Sequence, residues 1–181
     1  MKKEERKPGS GGFAFGDVSL CRFGPRYGLL SLFFMMCVKE IFRLGRQYPF
    51  PRPKRCLRAG CGSSRIWGHG FVERYFDDCD GPVELRRWRC PDCGCVYTIR
   101  PADYWPRHHA LIQTITRGLS YRIAHGFWDK ALGLTRQRQG HWLRALKDNI
   151  KMWLGMSFSR GMMAGFYELV RLAMVPVMRT G

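Results

Sequence analysis

Two cysteine pairs, each followed by a glycine, constrain this chain more than any other feature. The first reads Cys56-Leu57-Arg58-Ala59-Gly60-Cys61-Gly62 and the second Cys90-Pro91-Asp92-Cys93-Gly94. Cysteines so spaced can set four thiolates at the corners of a tetrahedron, the geometry zinc takes, with Zn–S distances of about 2.3 Å. Pro91 narrows the second turn. Gly62 and Gly94 let the backbone turn at positive φ while an amide faces a sulfur. The first pair has four residues between its cysteines where two are usual, so its loop must be wider. Cys56, Cys61, Cys90 and Cys93 are therefore expected to bind one structural Zn2+. The competing reading is free buried cysteines. Four thiolates leave no open position for water, so the site predicts architecture rather than catalysis.

The chain has eight cysteines, and Cys21, Cys37, Cys79 and Cys95 have no spacing partner. They are expected to be unligated, with Cys79 or His69 as substitutes if the wide loop fails to close. No cleavable export signal is legible in the basic N-terminal stretch. The apolar run Leu29–Val38 is shorter than the roughly 18 residues that span a bilayer. A cytoplasmic, reducing compartment is expected, where paired cysteines read as metal ligands rather than disulfides.

Between the pairs the pattern is strand-like. Residues 65–75 alternate loosely, a turn follows at Asp77–Pro82, and Val83–Arg89 leads into the second pair. Cys95–Ile99 leaves it as a third strand. Residues 48–101 thus read as a zinc ribbon. So small a sheet depends on its metal, whose binding contributes on the order of 10 kcal/mol.

Residues 1–47 precede the ribbon. Their first part, 1–28, is charged and glycine-rich and reads as an unstructured tail; 29–45 reads as a short apolar helix. That helix is either an anchor to a membrane or partner, or packs on the rest of the fold. Tyr48–Pro53 is expected to be extended. The abrupt change in composition also suggests that translation starts at Met35 or Met36, with residues 1–34 an over-called start.

Residues 102–149 read as three helices with glycine joints, the spacing of a helix–turn–helix. The first is predicted to end at Gly118, the second to run from a Ser120 cap to Leu132, and the third to start at a Thr135 cap. The third helix is expected to turn Leu143 and Leu146 inward, with Trp142 at the edge. Arg136, Gln137, Gln139, Gly140, His141 and Arg144 then point outward. With Arg122, Arg138 and Lys147 they form a candidate surface for double-stranded DNA, since Arg and Gln offer the bidentate geometry that guanine and adenine edges require. The competing reading is an ordinary bundle with a basic surface. Charge favours the polyanion: the net is +17, and residues 86–160 hold fourteen Lys and Arg against four Asp and Glu. His108, His109 and His125 lack a nucleophile or carboxylate partner and are expected to be solvated or capping.

Residues 150–181 read as an apolar, Met-rich helix broken near Gly161 and ended by Pro176. It is a candidate homodimer surface. Glu168 and Arg171 weigh against a membrane role, each costing about 2.5–3.5 kcal/mol at mid-bilayer.

The order of these parts resembles the N-terminal region of bacterial insertion-sequence transposases. The resemblance is carried by Tyr48-Pro49-Phe50-Pro51, Trp67-Gly68-His69-Gly70, Arg86-Arg87-Trp88-Arg89-Cys90-Pro91-Asp92-Cys93-Gly94, Tyr97-Thr98-Ile99-Arg100-Pro101 and Leu132-Gly133-Leu134-Thr135-Arg136, over roughly residues 48–149. It implies recognition of element-end DNA by ribbon and helices together, with the four cysteines as ligands and Arg136, Gln137, His141 and Arg144 as readers. Such transposases also need a catalytic domain with spaced acidic residues. Beyond residue 100 this chain has only Asp103, Asp129, Asp148 and Glu168. The expectation is therefore an α+β, non-enzymatic accessory protein, regulator or transposase remnant, with no small-molecule substrate. The alternative is an RNA- or ribosome-associated zinc ribbon that stacks single-stranded bases on Trp67, Tyr75, Trp88 and Tyr97. An enzyme would require an open metal site.

Overall fold

The computed structural model describes residues 19–21 and 29–179 and has the α+β class expected. A mixed five-stranded sheet has the order β1-β2-β5-β4-β3. Its strands are β1 (Ser19–Cys21), β2 (Leu29–Phe34), β3 (Trp67–Arg74), β4 (Val83–Arg89) and β5 (Val96–Pro101). The helices are α1 (Val38–Leu44), α2 (Ile112–His125), α3 (Arg136–Leu154) and α4 (Met162–Arg171).

Strands β3, β4 and β5 form the antiparallel ribbon sheet that alternation predicts, with Trp67 opposite Arg89 and Trp88 opposite Tyr97. The helix expected over 29–45 is corrected. Leu29–Phe34 is a strand, paired in parallel with β5 from Leu29↔Val96 to Phe34↔Pro101, and only Val38–Leu44 is helical. A short run that is apolar at nearly every position suits a buried parallel strand as well as a buried helix, and periodicity cannot separate them. Tertiary demand decides: without β2 the edge of β5 would leave its backbone groups unpaired. Leu32 is fully buried there with Ile41, Ile66, Leu85, Tyr97, Ile99 and Tyr104.

Helix α1 packs on β4, and the turn after it is fixed by the Arg46–Glu84 ion pair at 2.7 Å. The chain then runs without regular structure through Tyr48–Pro53, as its prolines require. The Trp88 indole N–H donates to the Pro51 carbonyl at 3.1 Å, and Phe50 meets Phe71 edge-on at 6.0 Å. The Arg86 guanidinium lies over both Phe71 and Trp88, at 4.7 and 5.0 Å. It also lies across Gly68, where any Cβ would overlap it, so the Trp-Gly-His-Gly glycine has a packing reason.

The helical half departs from the expected three-helix unit. Helix α2 runs through Gly118 and ends at Gly126, whose φ of 79° closes it. Gly118 is a contact glycine: a Cβ there would come within 3.2 Å of both Leu132 and Gln139. The predicted second helix is thus shared between the last turns of α2 and a single 3-10 turn at Lys130–Leu132, capped by Asp129. Asp129 is buried, accepts from the Ala131 amide at 2.9 Å and pairs with Arg117 at 3.0 Å. Thr135 caps α3 as expected, accepting from the Arg138 amide at 3.3 Å. Helix α3 passes Gly140 and continues to Leu154, so the 149/150 boundary falls inside it.

A second core joins Ile115 and Leu119 of α2, Trp142 and Leu146 of α3, and Phe166 and Leu169 of α4. Trp142 is buried in it rather than at an edge. Gly165 permits the close α3–α4 approach, since a Cβ would sit 2.7 Å from Ile150 Cγ1. Gly165→Ala is expected to lower stability by about 1–2 kcal/mol, overpacking outweighing the better helix propensity, with urea unfolding as the measurement.

The two halves are bonded together. The Asp77 amide donates to the His109 carbonyl at 2.9 Å, the Tyr104 hydroxyl donates to Asp78 at 3.0 Å, and Arg138 pairs with Asp77 at 2.7 Å. No helix among the described residues is long and apolar enough to cross a membrane.

Candidate metal centre and basic grooves

The four predicted ligands converge. The sulfurs of Cys56, Cys61, Cys90 and Cys93 all lie within 4.8 Å of one another. Cys56 and Cys93 are 3.5 Å apart, and Cys61 and Cys90 are 3.8 Å apart. A tetrahedron with Zn–S of about 2.3 Å has edges of about 3.8 Å. The donor set is purely soft thiolate, and the cluster includes no carboxylate or imidazole, which suits zinc. These four cysteines could hold one metal ion, and zinc fits both size and donors. His69 and Cys79 lie outside the cluster and are not needed to complete it.

Local backbone chemistry explains the convergence. In the first loop the Cys61 amide donates to the Arg58 carbonyl at 3.0 Å, and Gly60 and Gly62 take φ of 78° and 61°. Two left-handed glycines close the wide loop that four intervening residues create. In the second, the Gly94 amide donates to the Cys90 carbonyl and the Cys90 amide to the Cys95 carbonyl, both at 2.9 Å. Asp92 ties the loops together through the Ser63 hydroxyl and the Arg65 guanidinium, and Arg58 donates to the Cys93 carbonyl at 2.9 Å.

Beneath the cluster lies a residue whose role sequence reasoning misread. Tyr97 is fully buried, so it cannot stack a base. Its hydroxyl is 2.8 Å from Cys56 Sγ and accepts from the Leu57 amide at 2.9 Å. Burial, then the bond to Cys56, hold the phenol above the ordinary tyrosine range, so it keeps its proton beside the sulfur. A backbone hydrogen bond from Ser63 favours the Cys61 thiolate, but burial and the neighbouring sulfurs outweigh it and push that thiol up to about 12. Thiols crowded this way resist ionising together, and a divalent cation reverses that balance.

Six of the seven proposed DNA readers divide between two grooves. Arg122, Arg136, Gln137 and Arg144 line one groove of about 560 Å³, between α2 and α3, with Trp128 in its wall. Arg122 stacks on Trp128 at 5.0 Å. Arg138 and His141 face a different cleft of about 370 Å³ on the neighbouring side of α3. Arg138 is already engaged, by Asp77 and by the Trp142 ring at 5.5 Å. Lys147 is exposed and lines neither. Gln139, expected to point outward, is 1% exposed and donates to the Leu134 carbonyl at 3.2 Å. Its buried place follows from the contact glycine opposite, a pairing that only the tertiary fold creates.

Of the four aromatic residues considered for stacking, Trp67 and Tyr75 are open, each 58% exposed, while Trp88 is covered by Arg52 and Arg86. The segment considered for dimerisation leaves Met156, Tyr167, Val170 and Leu172 exposed. Sequence reasoning missed Arg107 and Arg179, which complete the second cleft. Neither sits in a periodic element, so no pattern marked them. Compared with family models, curated proteins and solved structures, the chain matches none. The resemblance to insertion-sequence transposases therefore rests on the motifs quoted above.

Proposed function

We propose that this chain is a DNA-binding protein of a reducing compartment, in which a four-thiolate zinc site holds a ribbon against a helical unit that engages duplex DNA. Its natural target in this reading is the end of an insertion element, and the chain acts as an accessory or regulatory protein rather than an enzyme. One observation carries the reading: Arg122, Arg136, Gln137 and Arg144 converge on an open groove whose lining, among the described residues, has no carboxylate. Three guanidiniums and an amide beside an indole suit phosphates and purine edges together. The Arg138–Asp77 pair fixes the ribbon relative to α3, so the two parts would meet a duplex as one surface.

The test is anisotropy with element-end duplex and a scrambled duplex, over a range of salt. Element-end DNA is expected to bind more tightly, with affinity falling steeply as salt rises. The double variant Arg136→Ala, Arg144→Ala is expected to weaken binding at least about tenfold and to reduce the log–log salt slope by about two. Equal affinity for both duplexes at physiological salt would remove sequence recognition from the account. The exposed Trp67 and Tyr75 support a second reading, stacking of single-stranded RNA. Preference for single strands in the same titration, lost in Trp67→Ala, would favour it.

A further inference from the structure

We propose that the second cleft, between the turn at 105–109, α3 and the C-terminal segment 175–179, is a binding site for a phosphate group. The inference rests on the DNA reading only for what carries that phosphate. The cleft of about 370 Å³ is bordered by Arg107 and His109 from the turn, Arg138 and His141 from α3, and Arg179 from the C-terminal segment. No carboxylate among the described residues lines it. A hollow of about 210 Å³ shares His141 and Arg179 with it and adds Arg144 and Asp148. Arg144 also borders the DNA groove, so the two surfaces meet along α3.

The convergence is built by specific bonds. Asn149, buried in α3, donates its side-chain amide to the Pro176 and Met178 carbonyls, each at 2.8 Å, and so delivers Arg179 to the rim. Val175 and Val177 are buried on either side of that clamp. The turn is held by the Asp77 amide on the His109 carbonyl, and by His108 Nδ1 against the Pro106 carbonyl at 2.9 Å. Within it Arg107 has φ of 64°, a conformation an L-residue rarely adopts. Strain and like charge are both held in place by the surrounding structure, a combination that marks ligand sites. Arginine forks and imidazole donors match phosphate oxygens, and Trp142 and Met178 give the cleft an apolar wall.

The charge state supports the same ligand. Burial, then Arg179 and Arg144, hold His141 below the ordinary histidine range, and burial lowers His108. Both effects favour the neutral rings in the free protein. An arriving anion acts against this depression, favouring the protonated imidazole of His141. The charged groups that face them are Arg107, Arg138, Arg144 and Arg179, with Asp77 and Asp148 at the margins.

Inorganic phosphate titrated into the zinc-loaded full chain, read by histidine imidazole NMR, tests the site directly. Millimolar phosphate, added at constant pH, is expected to shift the His109 and His141 signals. Arg107→Gly removes the guanidinium while suiting the left-handed backbone, so the fold should survive; Arg179→Ala is the second variant. Each is expected to weaken phosphate binding at least about fivefold without lowering the melting temperature. Duplex anisotropy separates the sources. If each variant also cuts duplex affinity and lowers the salt slope by about one, the phosphate is that of the nucleic-acid backbone. If phosphate binding falls but duplex affinity holds, the ligand is a free or terminal phosphate. A chain that binds phosphate but no duplex would refute the DNA reading and leave the cleft standing. Histidine signals unmoved by about 20 mM phosphate, together with unchanged duplex binding in both variants, would overturn the site, since a real one should outcompete simple screening.

Discussion

Removing zinc from the purified protein with a strong chelator, under reducing conditions, is expected to unfold the ribbon, and Cys90→Ser is expected to do so without a chelator. Cys90 and Cys56 are buried in the first core with Ile66, Leu85, Cys95 and Tyr97, so a metal held there would share one cooperative unit with the sheet. A structural zinc contributes on the order of 10 kcal/mol, comparable with the whole stability of a small domain, about 5–15 kcal/mol. The strand signal in circular dichroism should collapse and the first melting transition should fall by tens of degrees. Helical signal from α2, α3 and α4 should largely persist, because they carry a separate core. Cys37→Ser is the control: that thiol is exposed and outside the cluster, and its loss should leave melting unchanged. Acid should mimic the chelator, since protons compete with the metal for sulfur. A chelated protein that melts as before would refute the metal's structural role.

A chain started at Met35 is expected to fail to hold its sheet. It lacks β2, which supplies the whole parallel ladder on one side of β5. It also lacks Leu32 and Phe33, both buried. Leu32→Ala alone should cost about 2–5 kcal/mol, and losing the strand adds the unpaired backbone edge of β5. That sum approaches the stability of the domain. Side-by-side melting of the full chain and the Met35 start is the measurement. Equal melting temperatures would mean that β2 is dispensable. The result bears on the start suggested by composition: the natural product is expected to retain residues 29–34, as intact mass would reveal.

Much of the ribbon was legible because its constraints are local. Cysteine spacing and the following glycines mark Cys56, Cys61, Cys90 and Cys93, and alternation marks β3, β4 and β5 within a residue or two. What sequence could not supply was anything set by a distant partner. Leu29–Phe34 is a strand because β5 needs a neighbour. Gly118 lies mid-helix because Gln139 and Leu132 press on it, and Gln139 faces inward for the same reason. Tyr97 looks like a stacking aromatic in a strand, yet its depth sets its hydroxyl against the Cys56 sulfur. The basic residues of α3 all fall on one helix, Arg136–Leu154. Their division between two grooves depends on Arg138 reaching Asp77 and on Asn149 holding the C-terminal segment, neither of which has a periodic signature.

Cobalt substitution addresses the central claim, a single four-thiolate metal site, most directly. One equivalent of Co2+ added to the reduced, metal-free protein should give the intense visible absorption of tetrahedral cobalt with sulfur-to-metal charge transfer, displaced by one equivalent of Zn2+ and lost in Cys90→Ser. A weak octahedral spectrum, or an intense one that survives Cys90→Ser, would contradict it.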